Sequence, residues 1–188
     1  MGRRRKRMSE VLKAIVERRS VPRFQKREVP EELIEKILEA GRWAPSYANL
    51  QPWEFIVVRD AETKKRLTAV AEKVTIYRRG IENADAVVVV VADPEVDPLH
   101  YREDAAVATQ NMALAAHALG IASYWIGIPE GGPGSAEALT KEILEIPDEF
   151  SVVALLPLGY PDPGYTPQKE RRPLEQMVHY DRYGNRKK

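Results

Sequence analysis

Two short stretches carry the side chains best suited to holding a ligand. Arg18-Arg19-Ser20, followed by Arg23 and Phe24, sets two guanidiniums beside a hydroxyl. A phosphate monoester calls for that set: bidentate donors, positive charge and a short hydrogen bond. Basic residues at a helix C-terminus also have an ordinary role, complementing the helix dipole, so the structural reading stands beside the functional one. The second stretch is Ala44-Pro45-Ser46-Tyr47-Ala48-Asn49-Leu50-Gln51-Pro52-Trp53. Its prolines keep the backbone extended, while Asn49 and Gln51 can fix the loop or present amides to a polar ring edge. Trp53 and Phe55 open a strand and read as core rather than as cofactor-stacking rings.

Other chemistries find little support. The chain has no cysteine, which excludes disulfides, thiolate catalysis, Cys-ligated zinc and any Fe–S cluster held by its own residues. Redox chemistry would therefore need a cofactor. Neither G-x-G-x-x-G after a strand nor G-x-x-x-x-G-K-[ST] is present, and Gly131, Gly132 and Gly134 read as a glycine-proline turn before a helix. His100, His117 and His179 lie too far apart for a metal motif, so no metal site is expected. No serine sits in a G-x-S-x-G elbow. Glu103 and Asp104 read most simply as dipole-complementing residues at a helix start.

The elements that must position the two stretches follow from periodicity. From Met8 to Arg19, Val11, Leu12, Ile15 and Val16 recur at helical spacing behind a Ser9 N-cap. Pro22 ends that helix, and an extended segment leads to Pro30, which suits the first turn of a second helix with Leu33, Ile34, Ile37 and Leu38 on one face. A strand is expected over 54–59, a helix over 61–72, and a strand buried on both faces over 86–92. The segment Glu103 to Leu119, ended by Gly120, is apolar on nearly every side. It predicts a helix buried all round, at the centre of the fold and at a dimer interface, with Asp104, Gln110, Asn111 and His117 needing partners. A strand over 121–128, a helix over 135–144 capped by Ser135, and a last core strand over 151–158 complete an α+β or α/β sandwich around about four strands.

The chain's 188 residues, 44% hydrophobic and 30% charged, fit a single globular domain. We expect a basic solvated arm over residues 1–8, one domain over 9–160, and an apolar-poor C-terminal extension over 161–188 that stays disordered or docks on a partner. A formal net charge of +1 argues against a nucleic-acid partner. No apolar run approaches the roughly 20 residues of a membrane span, so no membrane partner and a cytoplasmic location are expected. Many Glu, Arg and Lys with no Cys hint at a thermophilic source.

At this point the chain resembles the nitroreductase family of flavoproteins. The residues carrying the resemblance are Glu17 to Val21, Val29 to Leu33, Ala44-Pro45-Ser46, Asn49 to Trp53, Glu103-Asp104-Ala105, Trp125-Ile126-Gly127 and Lys169 to Leu174. They occur in the family's order over about residues 9–180. The resemblance implies an α+β nitroreductase-like sandwich, with a mostly antiparallel sheet of four strands flanked by helices and a C-terminal segment exchanged in a homodimer. It implies bound FMN, with NADH or NADPH as electron donor. Arg18, Arg19 and Ser20 would bind the phosphate and ribityl side, joined by Lys169 and Arg171. Pro45, Ser46, Tyr47 and Asn49 would approach the isoalloxazine from the other subunit, and the backbone of Ile126, Gly127 and Ile128 would run along the opposite face or edge.

The implied reaction is ping-pong hydride transfer through flavin N5 to a small-molecule acceptor such as a nitroaromatic or quinone, with no side chain required as a catalytic acid or base. The alternatives are a relative with other flavin chemistry, dehalogenation or oxygen-dependent ring cleavage, and a non-enzymatic flavin-binding protein. One departure is Pro22, which stands where the family commonly has Arg or Lys; Arg23, one place on, is the nearest charge.

Overall fold

The computed structural model describes residues 8–76, 79–167 and 170–186. Its sheet is built from β1 (Trp53–Val58), β2 (Ala86–Ala92), β3 (Ala122–Ser123), β4 (Ile126–Gly127) and β5 (Ser151–Gly159). The spatial order is β1-β2-β5-β3, with β4 also paired to β5. Every strand pairing is antiparallel. The sheet thus has five strands rather than the expected four, because the stretch expected as one strand over 121–128 is two short ones. The chain leaves the ladder between them, at Tyr124 and Trp125.

β2 shows why this sheet lies at the centre. All seven residues of AVVVVVA are buried, as a strand covered on both faces must be. Ala86, Val88, Val90 and Ala92 enter one core with Ile34, Ile37 and Met112. Val87, Val89 and Val91 enter the other with Leu67, Val70 and Ile81. The side-chain period of two thus feeds two helix layers from one strand. On the first side lie α2 (Glu31–Arg42) and α5 (Tyr101–Ala118); on the second lie α3 (Ala61–Ala71), α4 (Arg79–Asn83) and α6 (Ala136–Leu144). Each fully buried Leu or Ile stabilises these layers by roughly 1.5–3 kcal/mol relative to exposure.

The remaining helix, α1 (Glu10–Glu17), is amphipathic as expected and capped by Ser9, whose Oγ accepts from the Leu12 N–H at 3.3 Å. None of its residues is buried: Val11, Leu12, Ile15 and Val16 are 46–68% exposed. Helix α5 also departs from expectation. Ala105, Ala108, Met112, Ala113 and Ala116 are buried, but Val107 is 39% exposed, and Glu103 and Ala118 face solvent. In the single chain it is therefore covered on one side and not all round.

Helix α5 ends as its sequence requires. Gly120 takes φ +76, its N–H donates to the His117 carbonyl at 3.1 Å, and the Ile121 N–H reaches the Ala116 carbonyl at 2.8 Å. This is a Schellman closure, which satisfies the helix's last carbonyls and delivers the chain directly into β3. The short helix α4 has no counterpart in the periodicity reading, because five residues are too few to show a helical repeat. Its Gly80 allows Tyr124 to pack against it: a Cβ there would stand 2.6 Å from the tyrosine hydroxyl.

Candidate functional site

The chain leaving α1 is stitched to the sheet. Ser20 bridges Ser123 in parallel fashion, the Val21 N–H donates to the Ser123 carbonyl at 3.0 Å, and Phe24 bridges Pro161. These bonds place the Arg18-Arg19-Ser20 turn over the break between β3 and β4. A cleft of about 460 Å³ opens there, lined by Arg18, Arg19, Ser20, Pro22, Thr75, Tyr124, Trp125, Tyr165, Pro167 and Arg171. A neighbouring cleft of about 300 Å³ shares Arg18, Arg19, Tyr165 and Pro167 and adds His117 and Ala122.

Positive charge gathers at the first cleft. Burial lowers the Arg18 pKa, and the positive charges of Arg171 and Arg19 lower it further. Guanidiniums crowded against one another are costly unless negative charge joins them. Arg19 fulfils the dipole-complementing role as well: its Nη1 donates to the carbonyls of Val16 at 2.8 Å, Glu17 at 2.6 Å and Arg18 at 3.0 Å. Pro22 contributes its ring to the cleft wall, while the Arg23 guanidinium lies 5.1 Å from the ring centroid of Tyr165. Arg23 thus reaches a residue of the cleft wall without lining the cleft itself.

Of the residues expected to form a site, the structure brings Arg18, Arg19, Ser20 and Arg171 together. Lys169 lies outside the described residues, as do residues 1–7 of the basic arm. Ile126 and Ile128 point their side chains into the core, at 3% and 1% exposure, leaving only backbone for a ligand. That backbone is partly engaged. Ile126 and Gly127 pair with β5, the Ile128 N–H donates to the Val153 carbonyl at 3.0 Å, and Arg102 donates to the Ile128 carbonyl at 2.6 Å. Gly127 is exposed, and a Cβ there would meet nothing of the chain closer than Trp125 Nε1 at 3.9 Å. Thr75, Tyr124 and Trp125 were missed by sequence reasoning. Trp125 directly precedes Ile126 in the Trp125-Ile126-Gly127 stretch, but a continuous strand over 121–128 gives no reason to turn its ring toward a cleft. Burial pushes the Tyr124 hydroxyl pKa up, so it stays protonated and able to donate at neutral pH.

Pro45, Ser46, Tyr47 and Asn49 do not line that cleft; they belong to a separate surface at the start of α5. The loop is anchored at both ends by Ala44 and Trp53, which pack on Ala108 with Phe55 alongside. Trp53 is thus core, as its position at a strand start implies. Between the anchors, Ala48, Asn49 and Gln51 hold φ values of +47, +59 and +52. Left-handed backbone costs non-glycine residues roughly 1–2 kcal/mol each, so the surroundings must impose it. The Gln51 N–H donates to Ser46 Oγ at 3.0 Å, and the Tyr47 N–H donates to Asp104 Oδ2 at 3.0 Å. Asp104 therefore holds this loop, beyond the helix-start role read from its position.

Asp104 sits in an acidic group. Burial raises its pKa, the Tyr47 N–H works against that rise, and the Asp97 carboxylate beside it adds to it. Burial opposes ionisation of Asp97 as well, but the N–H groups of His100 and Leu99, donating at 3.0 and 3.1 Å, and the nearby imidazole outweigh it and hold that pKa low. His100 Nδ1 stands 3.4 Å from Asp97 Oδ1, and its ring stacks on Tyr47 at 4.5 Å between centroids. Among the described residues, no group of His and carboxylates could hold a metal ion. Nor is any helix among them long and apolar enough to cross a membrane.

Comparison with known proteins supplies the wider frame. A sequence model described as "Nitroreductase family" matches residues 15–80 and 68–160. A protein of Archaeoglobus fulgidus bearing the double name NADH dehydrogenase/NAD(P)H nitroreductase is 40% identical over 158 residues, 82% of this chain and 87% of that protein. Among solved structures, an FMN-dependent nitroreductase of Clostridium difficile superposes with a TM-score of 0.82 at 30% identity, covering 92% of this chain and 99% of that one. A nitroreductase-type structure from Desulfovibrio desulfuricans, solved in complex with FMN, gives 0.76 at 32% identity over 92% of this chain and 96% of that one.

Proposed function

Because the chain belongs to the nitroreductase family, we propose that it is an FMN-dependent oxidoreductase that takes electrons from NADH or NADPH and passes them to small acceptors such as nitroaromatics and quinones. The observation that carries this reading is the cluster of Arg18, Arg19 and Arg171 beside the Ser20 hydroxyl and the half-exposed ring of Trp125. Its crowded positive charge suits a phosphate, and its aromatic wall suits a flat ring. The residues present therefore fit FMN. Arg18, Arg19 and Arg171, with Lys169, would hold the phosphate and ribityl side, and Ser20 would add a short hydrogen bond. The backbone at 126–128 would border the ring. When bound, the flavin supplies the hydride chemistry; the protein binds, orients and sets the local charge.

Two copies complete the site in this proposal. The apolar stripe of α1 and the uncovered side of α5 would be buried between them, bringing the Pro45–Asn49 loop of one subunit to the other's cation cleft. The 161–188 extension, with Leu174 and Tyr183 at 70% and 90% exposure, would dock on the partner beside the single domain of residues 9–160. In this reading the enzyme would work in the cytoplasm, drawing on nicotinamide carriers there. The test is uptake of FMN by the purified protein, followed by fluorescence quenching. Stoichiometric uptake that Arg18→Ala weakens supports the assignment; a folded protein that ignores FMN contradicts it.

A further inference from the structure

Among the described residues, five non-glycine positions have positive φ, and three of them fall at Ala48, Asn49 and Gln51. Asparagine tolerates that conformation, but alanine and glutamine do not choose it by themselves. Two of its restraints are internal: the Gln51 N–H on Ser46 Oγ, and Gln51 Nε2 on the Asn49 carbonyl at 3.2 Å. A polar restraint from outside is Asp104, whose Oδ2 accepts the Tyr47 N–H at 3.0 Å. The side chain of the same tyrosine is set by His100, stacked at 4.5 Å with 29° between the rings. His100 is in turn placed by Asp97, which accepts its backbone N–H at 3.0 Å and faces its imidazole. Asp97 and Asp104 are only 2% and 7% exposed.

Asp104, 7% exposed and beside the Asp97 carboxylate, is a poor way to stabilise a fold, since it pays desolvation and ionised neighbours repel. Glu103, exposed in the same first turn, already complements the α5 dipole without that cost. Asp104 is explained if it serves the loop. We propose that Asp104, supported by Asp97 and His100, is a positioning residue for cofactor binding, holding Tyr47 and the left-handed turn after it in the shape that meets the flavin of the partner subunit. The inference rests on the FMN reading above and adds to it a residue that touches neither cofactor nor acceptor.

The experiment compares full-length wild type with Asp104→Ala, Asp104→Asn and His100→Ala, titrating the apo-proteins with FMN and recording their melting temperatures without FMN. Loss of a restraint on a strained loop raises the FMN Kd about tenfold in Asp104→Ala and about threefold or more in His100→Ala. Asp104→Asn keeps a carbonyl oxygen for the Tyr47 N–H and stays within about threefold of wild type. The apo melting temperatures do not follow that order. His100→Ala trims a half-exposed ring and gives a result even where Asp104→Ala does not fold. Wild-type affinity in His100→Ala and in any folded Asp104→Ala overturns this inference alone, as does an Asp104→Asn as weak as Asp104→Ala. Wild-type protein that takes up no FMN overturns the functional reading and this inference with it.

Discussion

The Arg18 cleft and the Pro45–Gln51 loop solve opposite problems. At the cleft, like charges gather under partial burial, which lowers the Arg18 pKa and favours the approach of an anion. At the loop, strained backbone is held by the protein's own groups: Asp104, Ser46, and the anchors Ala44 and Trp53. One region gathers like charge, and the other is held in shape by its own hydrogen bonds and core anchors. A composite site can use both, with charge giving affinity and a preset loop avoiding an ordering cost on binding.

This contrast can be broken by substitution. The largest effect is expected at the loop's anchor: Trp53→Ala removes a buried ring packed on Ala108 and should lower apo-protein stability by about 3–5 kcal/mol in denaturant unfolding. An equally stable variant would mean that the loop is not built into the core. Next comes Ile15→Asp, on the helix that carries the cation cleft. In a symmetric dimer it removes about 1.5–3 kcal/mol of apolar burial per subunit, so light scattering at micromolar concentration should report monomers. Persisting dimers would place the interface elsewhere. Arg18→Ala should raise the FMN Kd by about 10- to 100-fold, one charge-assisted hydrogen bond's worth, while leaving the apo melting temperature level or higher because a repelling charge is gone. A marked fall would show the cluster to be structural.

The smallest effect has a definite sign. Asp104's folded pKa is raised, so the stability it contributes is present below the ordinary aspartate value and is lost as pH climbs through the folded one. Asp97's folded pKa is lowered, so its contribution is present above the ordinary value and is lost on acidification. Melting temperatures of wild type and Asp104→Asn should therefore diverge in favour of Asn as pH rises from about 4 to 7. A constant difference would mean that Asp104 is not perturbed.

How much of this was legible beforehand depended on how local the signal was. Valines 87–91, the Ser9 cap and the Gly120 stop each act within a few residues, and the structure keeps them all. The cation turn was readable because Arg18, Arg19 and Ser20 are consecutive. Thr75, Tyr124 and Trp125 join it through a bridge between Ser20 and Ser123, a contact across about a hundred positions that no local pattern announces. From sequence Asp104 reads only as a helix-start residue, because its partner, the Tyr47 backbone, is an N–H that every residue but proline carries. The apolar stripe of α1 was visible, but what covers it cannot be seen in one chain's periodicity.

The most direct test of the central claim is anaerobic addition of NADH, then NADPH, to the FMN-loaded protein while the flavin absorbance band is followed. The account predicts that at least one nicotinamide bleaches the band within the time of turnover and that a quinone or nitroaromatic restores it. Protein with a full complement of FMN that neither carrier reduces would contradict it.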